Sequence, residues 1–315
     1  MNTPWRAFFL TGALIVTLLF TRNLYLTNHS VGSSQSFLSK TLPQTQESLY
    51  AASLTDVAHE RVSVLPIRKW DVLDPALSSE AVLLQSLDDS FPFYHQETYK
   101  SWPTASLAKL MTAVVVFEQI GFSKNIPITE RAVATEGVAG GLQIGEIYSS
   151  EDLLKIMLLS SSNDAAVAFE DFLGGTEMFV SFMNKKAMEL GMTRTMFQGA
   201  SGLSNLSFST ASDMLRLAKY ILQEHPDIFN WTRLHNFLVQ PTNGTESKTI
   251  YNINPFVSDE GFLGGKTGTS PGARENLLAF FTFQDTRVVM ILLGSRNRVL
   301  DAKRLMEWTE NAYIF

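Results

Sequence analysis

The chain contains no cysteine. That excludes a disulfide scaffold, a thiol nucleophile and lipid attachment through sulfur. Charge is also sparse: Asp, Glu, Lys and Arg make up 18% of 315 residues, and 25 basic against 31 acidic side chains leave a net charge of -6. A nucleic-acid partner is therefore not expected, because such binders carry a basic surplus. No internal repeat and no long internal low-complexity stretch occurs. Nor is there an apolar run of about 20 residues, the usual length of a membrane span. The most apolar uncharged stretch, "AFFLTGALIVTLLFT" from Ala7 to Thr21, has 15 residues between Arg6 and Arg22.

What is present is a large apolar fraction, 45% of the chain, enough for a substantial core. The N-terminal stretch is read as an export segment, either a cleaved signal peptide or an anchor. The anchor is preferred, because no small-x-small cleavage site closes the stretch and Leu24, Tyr25 and Leu26 can lengthen it if Arg22 snorkels. Residues 1–27 are thus expected to hold the protein at a membrane as a transmembrane helix. Residues 28–75, rich in Ser, Thr and Gln, are expected to form a flexible stalk. Residues 76–315 are expected to be one folded domain on the extracytoplasmic side, or in the periplasm or cell wall if the segment is cleaved.

Within that domain "EAVLLQSLDD" and "SFPFYHQET" read as two strands joined at Asp88-Asp89-Ser90. Helical patterns follow: "TASLAKLMTAVVVFEQI", then "SSEDLLKIMLLSSSNDAAVAFEDFL" with a polar break at Ser160 to Asn163. Next come "TEMFVSFMNKKAMELGM" and "STASDMLRLAKYILQEH". In the last, Thr210 and Asp213 have the spacing of a capping box. Apolar strands return in "FLGGKTGTS", "ENLLAFFTFQDT" and "RVVMILLGS", and a helix closes the chain. Strands, a helical block, strands and a terminal helix predict an α/β (α+β) fold. Its antiparallel sheet is flanked by helices and interrupted by an all-helical insertion.

Three short motifs can carry chemistry. Ser106 and Lys109 lie one turn apart, on one helix face. A serine hydroxyl attacks only when a base takes its proton. Lysine serves only when neutral, which costs roughly 4–5 kcal/mol against its reference pKa. Burial and a second positive charge both push in that direction. Leu107, Leu110, Met111, Val114 and Val115 predict burial there, and Ser106 sits where helix N–H groups point outward. Ser161 and Asn163, between two helices, offer a hydroxyl to relay a proton and an amide to hold Lys109. Lys266, Thr267, Gly268 and Thr269 follow two glycines on an apparent strand edge, with a positive charge and hydroxyls suited to a carboxylate. Taken singly, the three are an ordinary helix start, a capped junction and a tight turn.

Together and in this order, Ser-x-x-Lys, Ser-x-Asn and Lys-Thr-Gly resemble the serine D-alanyl-D-alanine carboxypeptidases, the low-molecular-mass penicillin-binding proteins. The similarity extends through "PTASLAKLMTA", "IGEIYSSEDLLKIMLLSSSNDAA", "GLSNLSFSTASDMLRLAKYIL" and "GFLGGKTGTS", about two thirds of the chain. It implies a beta-lactamase/transpeptidase-like fold and removal of the terminal D-alanine from peptidoglycan stem peptides through an acyl-enzyme. Ser106 would be the nucleophile and Lys109 the base. Ser161 would pass a proton to the leaving group, and Asn163 would orient Lys109 and the substrate. Lys266, Thr267 and Thr269 would hold the terminal carboxylate, with N–H groups of Ser106 and Thr269 as the oxyanion hole. No metal or cofactor is implied, and beta-lactams would acylate the same serine.

Three departures stand out. "KTGTSPGARENLLAF" lacks the residue more often found before the threonine, so Pro271 and Arg274 are expected to reshape the carboxylate end, with Arg274 a candidate extra anchor. Only 21 residues follow Gly294, so membrane attachment is expected from the N-terminal segment. Three serines at 160–162 compete for one role, and spacing favours Ser161. Other functions stay open: a DD-endopeptidase, a class A-like beta-lactamase, or a catalytically weak peptidoglycan-binding surface protein. The beta-lactamase needs a glutamate to activate water. Glu170, Glu177, Glu189 and Glu224 read as helix-surface acids, and Glu246 and Glu260 lie near the third motif.

Overall fold

The computed structural model describes residues 65–137 and 139–315. The expected export segment and most of the expected stalk lie outside the described residues. The chain begins with β1 (Ile67–Arg68), β2 (Ala81–Ser86), β3 (Pro92–Gln96) and β4 (Trp102–Pro103), then a 3-10 turn at Ala105–Leu107 that runs into α1 (Ala108–Gln119). The helical block contains β5 (Asn125–Pro127), α2 (Glu130–Val133), β6 (Ile147–Ser149), α3 (Ser150–Leu159), α4 (Asn163–Phe172) and α5 (Thr176–Glu189). It continues through β7 (Phe208–Ser209), α6 (Ala211–Glu224) and α7 (Asp227–Trp231) to the hairpin of β8 (Asn236–Val239) and β9 (Lys248–Tyr251). The chain ends with β10 (Phe262–Ser270), β11 (Arg274–Phe283), β12 (Thr286–Ser295), α8 (Arg298–Ala312) and β13 (Tyr313–Ile314).

The main sheet has five antiparallel strands in the order β10-β11-β12-β2-β3, so the first hairpin joins the last three strands. This is the expected antiparallel sheet with helices around it. Successive strand residues face opposite sides, and both sides are dry here. Ala81, Leu83, Leu278, Phe280, Val289 and Ile291 pack against the helical block. Val82, Leu84, Leu277, Ala279, Val288 and Met290 pack against Ala302, Leu305 and Trp308 of α8. Burial on both faces explains why these strands read as unbroken apolar runs rather than as alternating ones.

Several helix starts carry the side-chain caps that local rules favour. Ser149, Ser162, Thr210 and Asn297 each accept a hydrogen bond from an N–H in the first turn of the helix they cap. The reciprocal half of the capping box predicted at Thr210 is replaced, however. The Asp213 carboxylate turns to the Arg194 N–H at 2.9 Å and the Thr195 hydroxyl at 2.8 Å, fixing the preceding loop instead.

The expected transmembrane helix is corrected. Among the described residues no helix is long and apolar enough to cross a membrane. The longest, α8, has 15 residues and carries charges along its length, short of the about 20 apolar residues a span requires. The stretch 7–21 that prompted the expectation lies outside the described residues. Within residues 65–75, placed in the stalk by composition, Ile67 and Arg68 pair with Ile314 and Tyr313. The Arg68 guanidinium also lies 4.6 Å from the Trp308 ring.

Asp301 ties α8 to the sheet. Its carboxylate is buried and accepts from the Ser78 N–H and from the hydroxyls of Ser78, Ser79 and Ser295. Burial alone would raise its pKa, but these donors hold it below the ordinary carboxylate value. A depressed folded pKa contributes stability above the unfolded value that is lost as pH falls through the folded one. Asp301→Ala should therefore lower the unfolding free energy at pH 7 by about 3 kcal/mol, measured by urea titration. The wild-type advantage should shrink as the pH drops below about 4. An advantage that persists unchanged into strong acid would refute this account.

Candidate active site

The site forms where α1, the α3–α4 junction and β10 converge. Lys109, the second residue of α1, is fully buried. Its Nζ lies 3.0 Å from Ser106 Oγ, 2.6 Å from Asn163 Oδ1 and 2.7 Å from the Ser201 carbonyl. Asn163 is held the right way round because its Nδ2 donates to the Glu136 carbonyl at 2.8 Å. Two of the three Lys109 partners are carbonyl oxygens, which can only accept. A neutral amine has two N–H groups for them and one lone pair left for the Ser106 hydroxyl. Burial, followed by the charge of Lys266, pushes Lys109 well below its ordinary pKa, and Asp164 opposes this. Among the described residues the Asp164 carboxyl has no hydrogen-bond partner, and burial pushes its pKa up.

Lys266 lies on β10 and is also buried. Its Nζ donates to Ser161 Oγ and to the Thr267 carbonyl, each at 2.9 Å. Ser161 is thus the hydroxyl that meets the third motif. Ser162 caps α4, and Ser160 donates back to the Ile156 carbonyl. Burial, then the nearby Arg298 guanidinium, lowers the Lys266 pKa to about 7.

The third motif reaches the Ser106 turn through a close backbone approach. A Cβ built on Gly268 would lie 2.9 Å from the Thr104 carbonyl and 3.1 Å from the Ser106 nitrogen. Only a hydrogen fits there. Ala105 and Ser161 adopt left-handed conformations, with φ of 44° and 59°, a strain of about 1–3 kcal/mol each. On one side the turn carrying Ala105 abuts Gly202, where a side chain would collide with the Ala105 carbonyl at 2.0 Å. On the other, Asn276 of β11 donates to the Pro103 and Thr104 carbonyls and accepts from the Gly294 N–H.

Arg274, the candidate extra anchor, is engaged away from the third motif. Arg274 pairs with Glu80 and lies 5.1 Å from the Trp102 ring. Arg298, at the start of α8, reaches the Thr269 hydroxyl and donates to the carbonyls of Gly268 at 3.0 Å and Asn276 at 2.8 Å. The residues that sequence reasoning missed are Arg298, Asn276 and Ser201. Arg298 left one signal: a cation in the first turn of a helix opposes the macrodipole and needs another reason to be there.

Glu170 is another correction. It is not a surface acid but only 3% exposed. Its carboxylate accepts from Ala200 N–H at 2.7 Å, Thr176 Oγ1 at 2.7 Å and Arg131 at 3.0 Å. It braces the turn that presents the Ser201 carbonyl, so its oxygens are already committed.

A buried lysine beside a serine at a helix start, with a second lysine on the adjoining strand edge, can serve as a base to a hydroxyl, and the fold that holds them is beta-lactamase/transpeptidase-like. A family model described as D-alanyl-D-alanine carboxypeptidase matches residues 72–297, and the chain belongs to that serine-type family. It is 32% identical to the Escherichia coli D-alanyl-D-alanine carboxypeptidase DacC over 225 residues, 65% of this chain and 54% of that protein. The chain thus spans about half the length of DacC. It is 28% identical to a Pseudomonas aeruginosa D-alanyl-D-alanine endopeptidase over 250 residues, 77% of this chain and 80% of that protein. The fold is shared with a D-alanyl-D-alanine carboxypeptidase from Mycobacterium tuberculosis, with TM-score 0.70 and 24% identity over 78% of this chain and 96% of that one. It is shared equally with a Streptomyces DD-transpeptidase, with TM-score 0.70 and 24% identity over 76% of this chain and 100% of that one.

The close approach at Gly268 yields a prediction. In Gly268→Ala the added methyl must push β10 away from the Ser106 turn. A displacement of about 1 Å at a reacting centre costs on the order of a hundredfold in rate. Acylation by a fluorescent penicillin should fall by about that factor, while circular dichroism and the folded baseline persist. Unchanged acylation in a folded variant would show that the contact is not needed.

Proposed function

We propose that this chain is a serine peptidase that removes the terminal D-alanine from peptidoglycan stem peptides through an acyl-enzyme. The observation that carries this reading is the buried Lys109 amine 3.0 Å from Ser106 Oγ, with carbonyl partners for both of its N–H groups. Lys109 takes the hydroxyl proton as Ser106 Oγ adds to the carbonyl carbon of the penultimate D-alanine. The N–H groups of Ser106 and Thr269 bind the oxyanion. As the C–N bond breaks, Ser161 hands a proton to the departing amine, and Lys109 resupplies it, so the proton lost by Ser106 ends on free D-alanine. Lys109 then draws a proton from the water that attacks the ester and returns it to Ser106 Oγ as the ester bond breaks, restoring the free enzyme.

Lys266, Thr267 and Thr269 hold the terminal carboxylate, with Arg298 behind Thr269 as the fixed positive charge. Lys266 has its pKa lowered to about 7, and an arriving carboxylate restores its ammonium form, because an opposite charge favours ionisation. Beta-lactams present a similar carbonyl and carboxylate and acylate the same serine. The domain acts outside the cytoplasm, where that substrate lies.

A DD-endopeptidase is the second reading. It is favoured by a likeness that extends over 80% of the Pseudomonas aeruginosa endopeptidase.

Ser106→Ala should abolish covalent labelling by fluorescent penicillin. Lys109→Arg should cut it by more than about a hundredfold, the lower range for losing a general base, because arginine stays protonated. Efficient labelling of either folded variant would refute the assigned roles. Mass spectrometry of muropeptides decides between the two readings. Loss of one D-alanine from pentapeptides means carboxypeptidase, and cleavage of crosslinked dimers means endopeptidase.

A further inference from the structure

A groove of about 380 Å³ lies between α6 and the β3 edge of the main sheet. Its floor is the sheet. Leu83 faces the helical block. Gln85, two residues further along β2, shares that face, and so does His95, which pairs with Leu83 across the β2–β3 ladder. Its overhang is one stripe of α6, because Ser212, Leu215, Arg216 and Lys219 stand at i, i+3, i+4 and i+7. Such positions share a helix face and here span about 10 Å.

The helix is tied to the sheet edge at both ends of the groove. The Ser212 N–H donates to the Thr98 carbonyl at 3.0 Å, and Lys219 Nζ donates to Ser90 Oγ at 3.0 Å. The groove is therefore preformed, and its volume falls at the lower end of the range of ligand sites. Its polar groups are largely unengaged. Gln85 is only 7% exposed, yet among the described residues no hydrogen bond engages its amide. A buried amide without a partner costs about 1–3 kcal/mol, and the groove it lines is where a partner can reach it. Arg216 carries a fork of N–H donors and makes no hydrogen bond among the described residues. Its ion-pair partner, the Asp213 carboxylate, is 3.9 Å away and already accepts from the Arg194 N–H and the Thr195 hydroxyl. Lys219 keeps N–H groups beyond the one given to Ser90. No carboxylate lines the groove, in a chain whose net charge is -6. Partial burial pushes His95 below its ordinary pKa, so its ring is neutral at pH 7 and offers one N–H.

We propose that this groove binds a small phosphate monoester, with the phosphate between Arg216 and Lys219 and the organic part against Gln85. Two cations one helical turn apart match the nearly twofold charge of a phosphate monoester at pH 7, and a guanidinium forks onto phosphate oxygens. A monocarboxylate would leave one cation unmatched. The Gln85 amide, the His95 N–H and the Thr98 and Ser212 hydroxyls suit a polyhydroxy body, while Leu83, Leu215 and Tyr99 cover its carbon faces. The inference stands apart from the peptidase reading, since none of Ser106, Lys109, Ser161 and Lys266 lines the groove.

The test is equilibrium dialysis of the full chain against radiolabelled glycerol 3-phosphate or inorganic phosphate at low ionic strength. The ester should be retained at millimolar concentration, and inorganic phosphate several times more weakly. Arg216→Gln should weaken retention of the ester by about tenfold, the lower range for a hydrogen bond to a charged group. Lys219→Gln, a second exposed position, should do the same. Gln85→Leu should bring the ester down to the level of inorganic phosphate while leaving inorganic phosphate unchanged. Circular dichroism checks that each variant is folded. No retention of the ester, or retention that both folded cation variants leave in place, overturns the inference. Equal retention of the two probes by the wild-type chain also overturns it and means an adventitious ion only.

Discussion

The burial of one amine organises this molecule. Lys109 is sealed from water, and an ammonium there would face a desolvation penalty and the repulsion of Lys266. The neutral form suits its partners, but only while both carbonyls stay in place. That requirement passes outward. Asn163 must be held by the Glu136 carbonyl, and Ser201 must be held by its turn. The neighbouring Ala200 is gripped on both sides, its N–H by Glu170 and its carbonyl by the Thr112 hydroxyl. A buried carboxylate far along the chain thus helps keep a lysine aligned that it does not touch.

The second constraint is the meeting of β10 with the Ser106 turn. Gly268 permits the approach, and Asn276 and Arg298 hold it. Asn276 fastens the backbone before Ser106 to β11, which is hydrogen-bonded to β10. Arg298 fastens the far side of β10 through the Gly268 carbonyl and Thr269. Ala105 and Ser161, in unfavourable backbone conformations, lie at the two ends of this junction. Strain of about 1–3 kcal/mol at each persists because the surrounding packing leaves no alternative. Both faces of the sheet are buried, so the strands cannot slide without exposing one core or the other.

Periodicity and caps revealed most of the fold, because hydrogen-bonded turns and apolar faces are local. The five strands of the main sheet, α1, the α3–α4 break and α8 lie where the pattern put them. The motif residues were legible for a related reason: Ser106 and Lys109 are one helical turn apart, and Ser161 and Asn163 flank one helix start. What could not be read was which distant residues meet. Arg298 reaches Thr269 across two strands, whereas Arg274, closer in sequence, is captured by Glu80 and Trp102. Glu170 looked exposed because its charge suited a helix surface, but Arg131, Thr176 and Ala200 supply the partners that make burial tolerable. Asp213 had the spacing of a capping box, yet a neighbouring loop offered it better donors. In each case tertiary partners decided the position of a polar side chain that local pattern left undetermined.

The site and the surface beside it are built by different means. The cluster around Ser106 and Lys109 draws on α1, α4, the turn before Gly202 and three sheet strands, so a change in any of them propagates into the amine's surroundings. The surface beside Ser160 is made of one loop and one hairpin, joined by Asn243 and Lys248. Their hydrogen bonds leave the side chains at the hairpin tip exposed. Chemistry is therefore fixed by contacts that reach across the fold, while the adjoining surface is set by a few residues whose replacement disturbs no core. Residues at that hairpin can change without altering the environment that keeps Lys109 neutral.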